Sequence, residues 1–245
     1  MERRDRRLLG AADLIVINGL GMEPWLERAL TRSAIGGKVV ECSAGLDVRL
    51  PGSLMEVRAR KPGPTDAASE GVRSAEPRAA NPHVWLDPLL ACHMVTNILL
   101  ALEKADPVHA SSYESNALEY VARLQGLHEE IRRALEPYRG SSIVTYHDAF
   151  AYFARRYGLN VAGVIEEGIE PSPRHLTALR QAIQREKVKV IFSEASHPGK
   201  LAVQLGRDLG IQVAVLDSLE SGPARPAAYE EGMRRNLSVL ERFLP

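Results

Sequence analysis

Cysteine is nearly absent. Only Cys42 and Cys92 occur, one at the end of an expected strand and one in an expected helix. That excludes a disulfide framework and a cysteine-based zinc site, and both read as buried free thiols. An excess of charge of either sign is also missing: 31 Lys and Arg balance 31 Asp and Glu. No overall field draws the chain to nucleic acid or to an anionic membrane surface, and neither is an expected partner. No apolar run approaches the roughly 18 residues that a membrane span needs. The opening stretch from Met1 to Arg7 lacks the apolar core of a secretory signal, so the sequence as it stands is expected to carry no export address. A glycine-rich phosphate loop follows none of the expected strands, and nothing favours a nucleotide site. What is present is an ordinary soluble composition, 245 residues and 45% apolar, enough for one large core or two modest ones.

Periodicity divides the chain. A helix end at 3–12, a strand at 13–18, a helix at 23–30 and a strand at 38–42 form an expected parallel βαβ unit. From 49 to 80 the apolar content falls while Pro51, Pro62, Pro64 and Pro77 appear, which predicts a long mobile loop. A helix at 89–104 follows. Tyr113, Ala117, Tyr120, Val121, Leu124, Leu127, Ile131, Ala134, Leu135 and Tyr138 then recur mostly three and four apart, predicting one helix of about thirty residues, on the order of 45 Å long at 1.5 Å per residue. A helix of that length is best used as a strut between two lobes. Strands at 142–146, 160–165, 188–193 and 212–216 alternate with helices at 149–157, 173–186, 198–209 and 225–243, the pattern of a parallel sheet covered on both faces. The predicted fold class is α/β: two parallel-sheet lobes at 1–105 and 139–245, joined by a linking helix at 106–138, with a site in the cleft between them.

Ligands of open parallel sheets gather at the carboxyl ends of strands. There the sequence places His147, Glu194 and Asp217. Across the cleft, the stretch Asn81-Pro82-His83-Val84-Trp85-Leu86-Asp87-Pro88 ends in a cap-then-proline helix start, Asp87 then Pro88. Pro82 stiffens its other side, so His83 is held between two rigid points with Trp85 free to pack beneath it. Two imidazoles with one or two carboxylates suit a divalent cation such as Zn²⁺, Mn²⁺ or Fe²⁺. Taken singly, each residue has a plainer use: His83 in a core or a cap, Asp217 capping a turn, Glu194 paired with Lys200, His147 stacked on Tyr146. An open metal position beside Glu194 also describes a zinc-dependent hydrolase with Glu194 as general base.

The octapeptide 81–88 resembles the signature of the solute receptors that capture zinc or manganese for ABC importers. Thr145-Tyr146-His147-Asp148-Ala149-Phe150 resembles their second-lobe motif, Phe192-Ser193-Glu194 their Phe-x-Glu, and Leu216-Asp217-Ser218-Leu219 their Leu-Asp-Pro-Leu. Glu170-Pro171-Ser172 and Asn18-Gly19-Leu20-Gly21-Met22-Glu23 are similar to two further family motifs. The resemblance implies a metal-binding receptor and no enzyme, with His83, His147, Asp217 and Glu194 holding the metal; Trp85 beneath His83 and His197, three residues after Glu194 and without a ligand counterpart in the family, read as its surroundings. It implies zinc as cargo, with manganese or iron as alternatives and His147 leaning towards zinc. It also implies a membrane permease as partner, a monomer, a periplasmic or extracytoplasmic location, and a link to cell adhesion, while the long helix, by restricting hinge bending, predicts small lobe rotations on loading. Family members begin with a leader, a first strand and a Pro-His-x-Tyr-Glu-Pro segment carrying the first ligand. The first lobe is therefore expected to be incomplete, its first strand absent, leaving either a shortened chain or a three-residue site completed by water. The loop at 49–80 contains no histidine, unlike that of many zinc-specific members. A binding-impaired remnant or adhesion module is the remaining alternative.

Overall fold

The computed structural model describes residues 3–26, 39–46, 80–165, 171–194 and 200–245. The expected loop at 49–80, apart from Ala80, and His197 lie outside these residues. So does most of the helix expected at 23–30, of which 24–26 are helical.

Helix α1 (Arg3–Ala11) leads into β1 (Ile15–Ile17), which pairs in parallel with β2 (Val39–Glu41), Ile15 opposite Val39. Strand alternation turns Ile15 and Ile17 inward onto Leu26 and leaves Val16 exposed. Helices α2 (Pro88–Ala105) and α3 (Ala110–Leu135) follow, separated by a tight turn at Pro107–His109 and packed on each other. At 26 residues, α3 is about 39 Å long at 1.5 Å per residue. Its second half carries Leu124, Leu127, Ile131 and Leu135, all buried, at the spacing that lines one face of a helix.

The second sheet is built from β3 (Ser142–His147), α4 (Ala151–Tyr157), β4 (Asn160–Ile165), α5 (Pro173–Arg185), β5 (Val190–Glu194), α6 (Lys200–Leu209), β6 (Gln212–Leu216) and α7 (Ala228–Phe243). All four strands are parallel in the order β4-β3-β5-β6. The chain starts in the middle, steps to one side and then crosses to the other. That reversal opens a crevice between the carboxyl ends of β3 and β5, where open parallel sheets bind ligands. Local chemistry fixes the ends: Ser172 caps α5 through the His175 N–H at 3.2 Å with Pro173 in the first turn, and Gly158 closes α4 at φ +72.

Helices cover both faces. One face packs Val144, Val164 and Ile191 against Leu179, Ile183 and Leu205. The other joins Ile143, Phe192 and Leu216 to Leu127, Ile131 and Leu135 of α3, Phe150 and Phe153, and Met233, Leu237 and Leu240 of α7. Leu86, from the loop ahead of α2, is a fully buried member of this second core. The chain is thus a two-lobe α/β fold whose long helix packs on α2 and enters the second core with its second half.

Asp87 anchors the same loop. One carboxylate oxygen caps α2 through the Leu89 N–H at 2.9 Å, and the other accepts from Arg156 Nε of α4 at 2.7 Å, with the Asp87 side chain only 4% exposed. Asparagine caps a helix as well as aspartate does, so Asp87→Asn removes the charge and keeps the cap. We expect it to cost about 1–3 kcal/mol, as for a charged hydrogen bond lost from the interior. Asp87→Ala loses the cap as well, about 1 kcal/mol more. Urea denaturation of the two variants measures both, and equal stabilities for wild type and Asp87→Asn would refute the role given to the ion pair.

Candidate metal centre

His83 projects from a loop held at both ends. Before it, the Pro82 carbonyl accepts from the Val84 N–H at 2.8 Å and from Asn18 Nδ2 at 3.0 Å. Asn18 is itself fixed by the first-lobe motif: the Glu23 carboxylate takes the N–H groups of Asn18 and Gly19 at 2.8 and 3.2 Å. Gly19 sits at φ +85, and a Cβ there would fall 2.1 Å from Glu41 Cγ, so glycine alone fits. After His83, a single tight turn at Val84–Leu86 buries Leu86 and leads to the Asp87 cap.

The His83 ring is 5% exposed as a residue. Its Nδ1 lies 2.8 Å from Asn81 Oδ1. An amide oxygen only accepts, so Nδ1 carries a proton and Nε2 is the nitrogen turned away from Asn81. Trp85 lies 5.1 Å away between ring centroids, tilted by 54°, and its indole N–H donates to the Ser218 carbonyl at 2.8 Å. The tryptophan therefore supports the ring and also pins the loop that follows β6.

His147 ends β3, and Glu194 ends β5, the two strands that border the crevice. Here too Nδ1 is engaged, at 2.6 Å from Glu194 Oε1. Nε2 is the ring nitrogen left for a ligand, and the His83 ring centroid lies 4.5 Å away at 73°. With its side chain 2% exposed, Glu194 stands behind His147 and orients it, the usual place of a carboxylate that supports a metal-binding imidazole.

Asp217 is not brought to the histidines. Its Oδ1 accepts from the Leu219 N–H at 2.9 Å, and its backbone is held by Asn236 at both the N–H and the carbonyl, 2.8 and 2.7 Å. The carboxylate closes the turn after β6, the plainer of the uses open to it. That turn drives Leu219 to φ +54, with its side chain over Gly232 of α7, where a Cβ would come within 2.5 Å. The residue that the turn delivers is Glu220, whose Oε1 lies 3.4 Å from His83 Nε2. Among the described residues, His83, His147 and Glu220 form a group whose ligand atoms all lie within 4.8 Å of one another. The hydrogen bond to His83 is the chief cause that holds the Glu220 carboxyl down to about 2, so it is an anion throughout the physiological range. Glu220 was missed because the motif drew attention to Asp217; the available signal was a further carboxylate three residues beyond a turn-closing aspartate.

The comparisons decide the family. The profile described as "Zinc-uptake complex component A periplasmic" (ZnuA) matches residues 1–243. The chain belongs to the ZnuA family. It is 33% identical over 241 residues to the high-affinity zinc uptake system protein ZnuA of Bacillus subtilis, covering 95% of this chain and 72% of that protein. Among solved structures, a crystal structure of ZnuA superposes with a TM-score of 0.79 at 25% identity, covering 100% of this chain and 84% of the other. The laminin-binding protein Lmb of Streptococcus agalactiae, described as bifunctional with adhesin and metal-transporting activity, gives a TM-score of 0.80 at 29% identity, with 100% and 85% covered. The names of these relatives speak of zinc uptake, and of adhesion with metal transport. Among the described residues no helix is long and apolar enough to cross a membrane.

Burial opposes a charge on His147, but the hydrogen bond to Glu194 and its negative charge outweigh that, and the ring's pKa is raised. The pair therefore adds stability that is fully present below the ordinary imidazole value of about 6.5 and is lost as pH rises through the raised one. Glu194→Gln is expected to lower the His147 pKa in an NMR titration of metal-free protein and to remove that part of the pH-dependent stability. An unchanged His147 titration would show that Glu194 does not tune the ring.

Proposed function

We propose that the chain captures one zinc ion through Nε2 of His83, Nε2 of His147 and a carboxylate oxygen of Glu220, and passes it to the membrane permease of an ABC importer. The observation that carries this is the convergence of three donors from three distant segments within 4.8 Å, with both imidazoles fixed from behind on Nδ1. His83 Nε2 and Glu220 Oε1 lie 3.4 Å apart, close enough for one cation to bind both. Two nitrogens and one oxygen match the tetrahedral preferences of zinc better than the oxygen-rich shells of manganese, and leave one coordination position for water or another donor. Charge agrees: the two positive charges of the ion face Glu220 and, one step back, Glu194.

The relatives' names support this cargo and this transport role. In this reading residues 1–105 form the first lobe, 106–138 the linking helix and 139–245 the second lobe. Loop 81–88 is bonded so fully to the second lobe that loading moves the lobes little. Glu194 as a hydrolytic base is disfavoured by its place behind His147, where one oxygen is already committed.

Calorimetric titration tests the proposal. We expect one zinc per chain, with affinity reduced at least about 100-fold in His83→Ala, His147→Ala and Glu220→Gln, and Mn²⁺ bound more weakly. Asp217→Asn preserves the turn and is expected to stay within about threefold of wild type. Because His147 holds its proton to a raised pH, zinc affinity should fall as pH drops below that value. Loss of binding in Asp217→Asn with full binding in Glu220→Gln would return the third donor to Asp217, and no zinc binding by the wild type would end the reading.

A further inference from the structure

Asn81 does work that the metal reading does not assign. Its Oδ1 accepts from two groups of His83, the backbone N–H at 3.0 Å and ring Nδ1 at 2.8 Å. Its Nδ2 donates across the junction to the backbone carbonyl of Asp148, the residue after His147, at 2.9 Å. Its own carbonyl accepts from Tyr152 of α4 at 2.8 Å. We propose that Asn81 is a positioning residue: one side-chain amide sets which nitrogen of His83 faces the cargo and how far His83 stands from His147. The proposal rests on the metal-capture reading above.

The amide has one workable orientation. With its nitrogen towards Asp148, both ends are satisfied. Reversed, it would set an oxygen against the Asp148 carbonyl and an NH₂ against the His83 N–H groups, an acceptor on an acceptor and donors on donors. The carbonyl it must meet belongs to the residue following the other imidazole, so the two candidate ligands are tied through a single planar group. The residue's neutrality is also informative. His147 is backed by a carboxylate and His83 by an amide. A second carboxylate at position 81 would lose the donor to Asp148 and put an uncompensated negative charge behind the site, since Glu194 and Glu220 already balance a divalent ion.

The test uses the intact chain, nitrogen-labelled on histidine and loaded with an NMR-active cadmium isotope as the probe, with zinc affinity measured in parallel. We expect cadmium–nitrogen coupling to Nε2 of both His83 and His147. In Asn81→Ala, zinc affinity should fall about 10–100-fold, the range for lost support of a ligand, and the His83 coupling should shift to Nδ1 or vanish while that of His147 persists. Asn81→Asp keeps an oxygen against His83 and should retain the Nε2 coupling. Coupling through Nδ1 of His83 in the wild type would overturn the proposal, as would Asn81→Ala with unchanged affinity and coupling. If the alanine variant does not fold, the wild-type and Asn81→Asp spectra still decide, loss of Nε2 coupling in the latter counting against the role. Wild-type protein that takes up neither zinc nor cadmium would defeat the metal reading itself, a result distinct from the others.

Discussion

The organisation of this molecule depends on one short loop being anchored in the lobe that follows it. Residues 81–87 precede α2, yet Leu86 lies in the core beneath the second sheet. Around it the loop is bonded outward on every side: Asn81 to Asp148 and Tyr152, Trp85 to Ser218 and Tyr229, Asp87 to Arg156. Each bond is modest in water, about 1 kcal/mol for a neutral pair and more for a charged one. Together with the buried leucine they leave the loop little freedom to move apart from the second sheet. His83 is thereby built into the same rigid body as His147, although 63 residues separate the two in sequence.

The donors proposed for the ion therefore reach close geometry without depending on lobe closure. The topology puts His147 and Glu194 at the ends of the two strands that flank the crevice, and the loop brings His83 to within 4.5 Å of His147 between ring centroids. The first lobe acts at a distance. Its Asn18 grips the Pro82 carbonyl, so the Asn-Gly-Leu-Gly-Met-Glu segment steadies the approach to His83 and contributes no donor to the group formed by His83, His147 and Glu220.

Much of this was legible in the sequence. Periodicity placed β6 at 212–216, as observed, and the other strands within about two residues, because buried parallel strands are runs of Val, Ile and Leu flanked by turn residues. The strand-end rule singled out His147 and Glu194, and the cap-then-proline pattern singled out the loop of His83. What the sequence did not reveal was direction. Glu194 ends a strand and Glu220 follows the turn after one, and nothing in their neighbours says that the first turns behind an imidazole while the second turns beside one. Asp217 shows the same limit: an aspartate whose carboxylate binds an N–H two residues on has the same letter as one that binds a cation. Side-chain orientation here is settled by tertiary partners, Asn236, Gly232 and Trp85, that lie far along the chain.

The three donors differ in depth. Side-chain exposure rises from 7% at His83 to 20% at His147 and 24% at Glu220. An ion held as proposed would surrender its first hydration water to the carboxylate and its last to an imidazole, and would leave in the reverse order. In that reading the two rings govern how firmly the ion is kept, and the outermost glutamate how soon it departs. A docking partner that drew away that single acidic arm could empty the receptor without disturbing the framework around it.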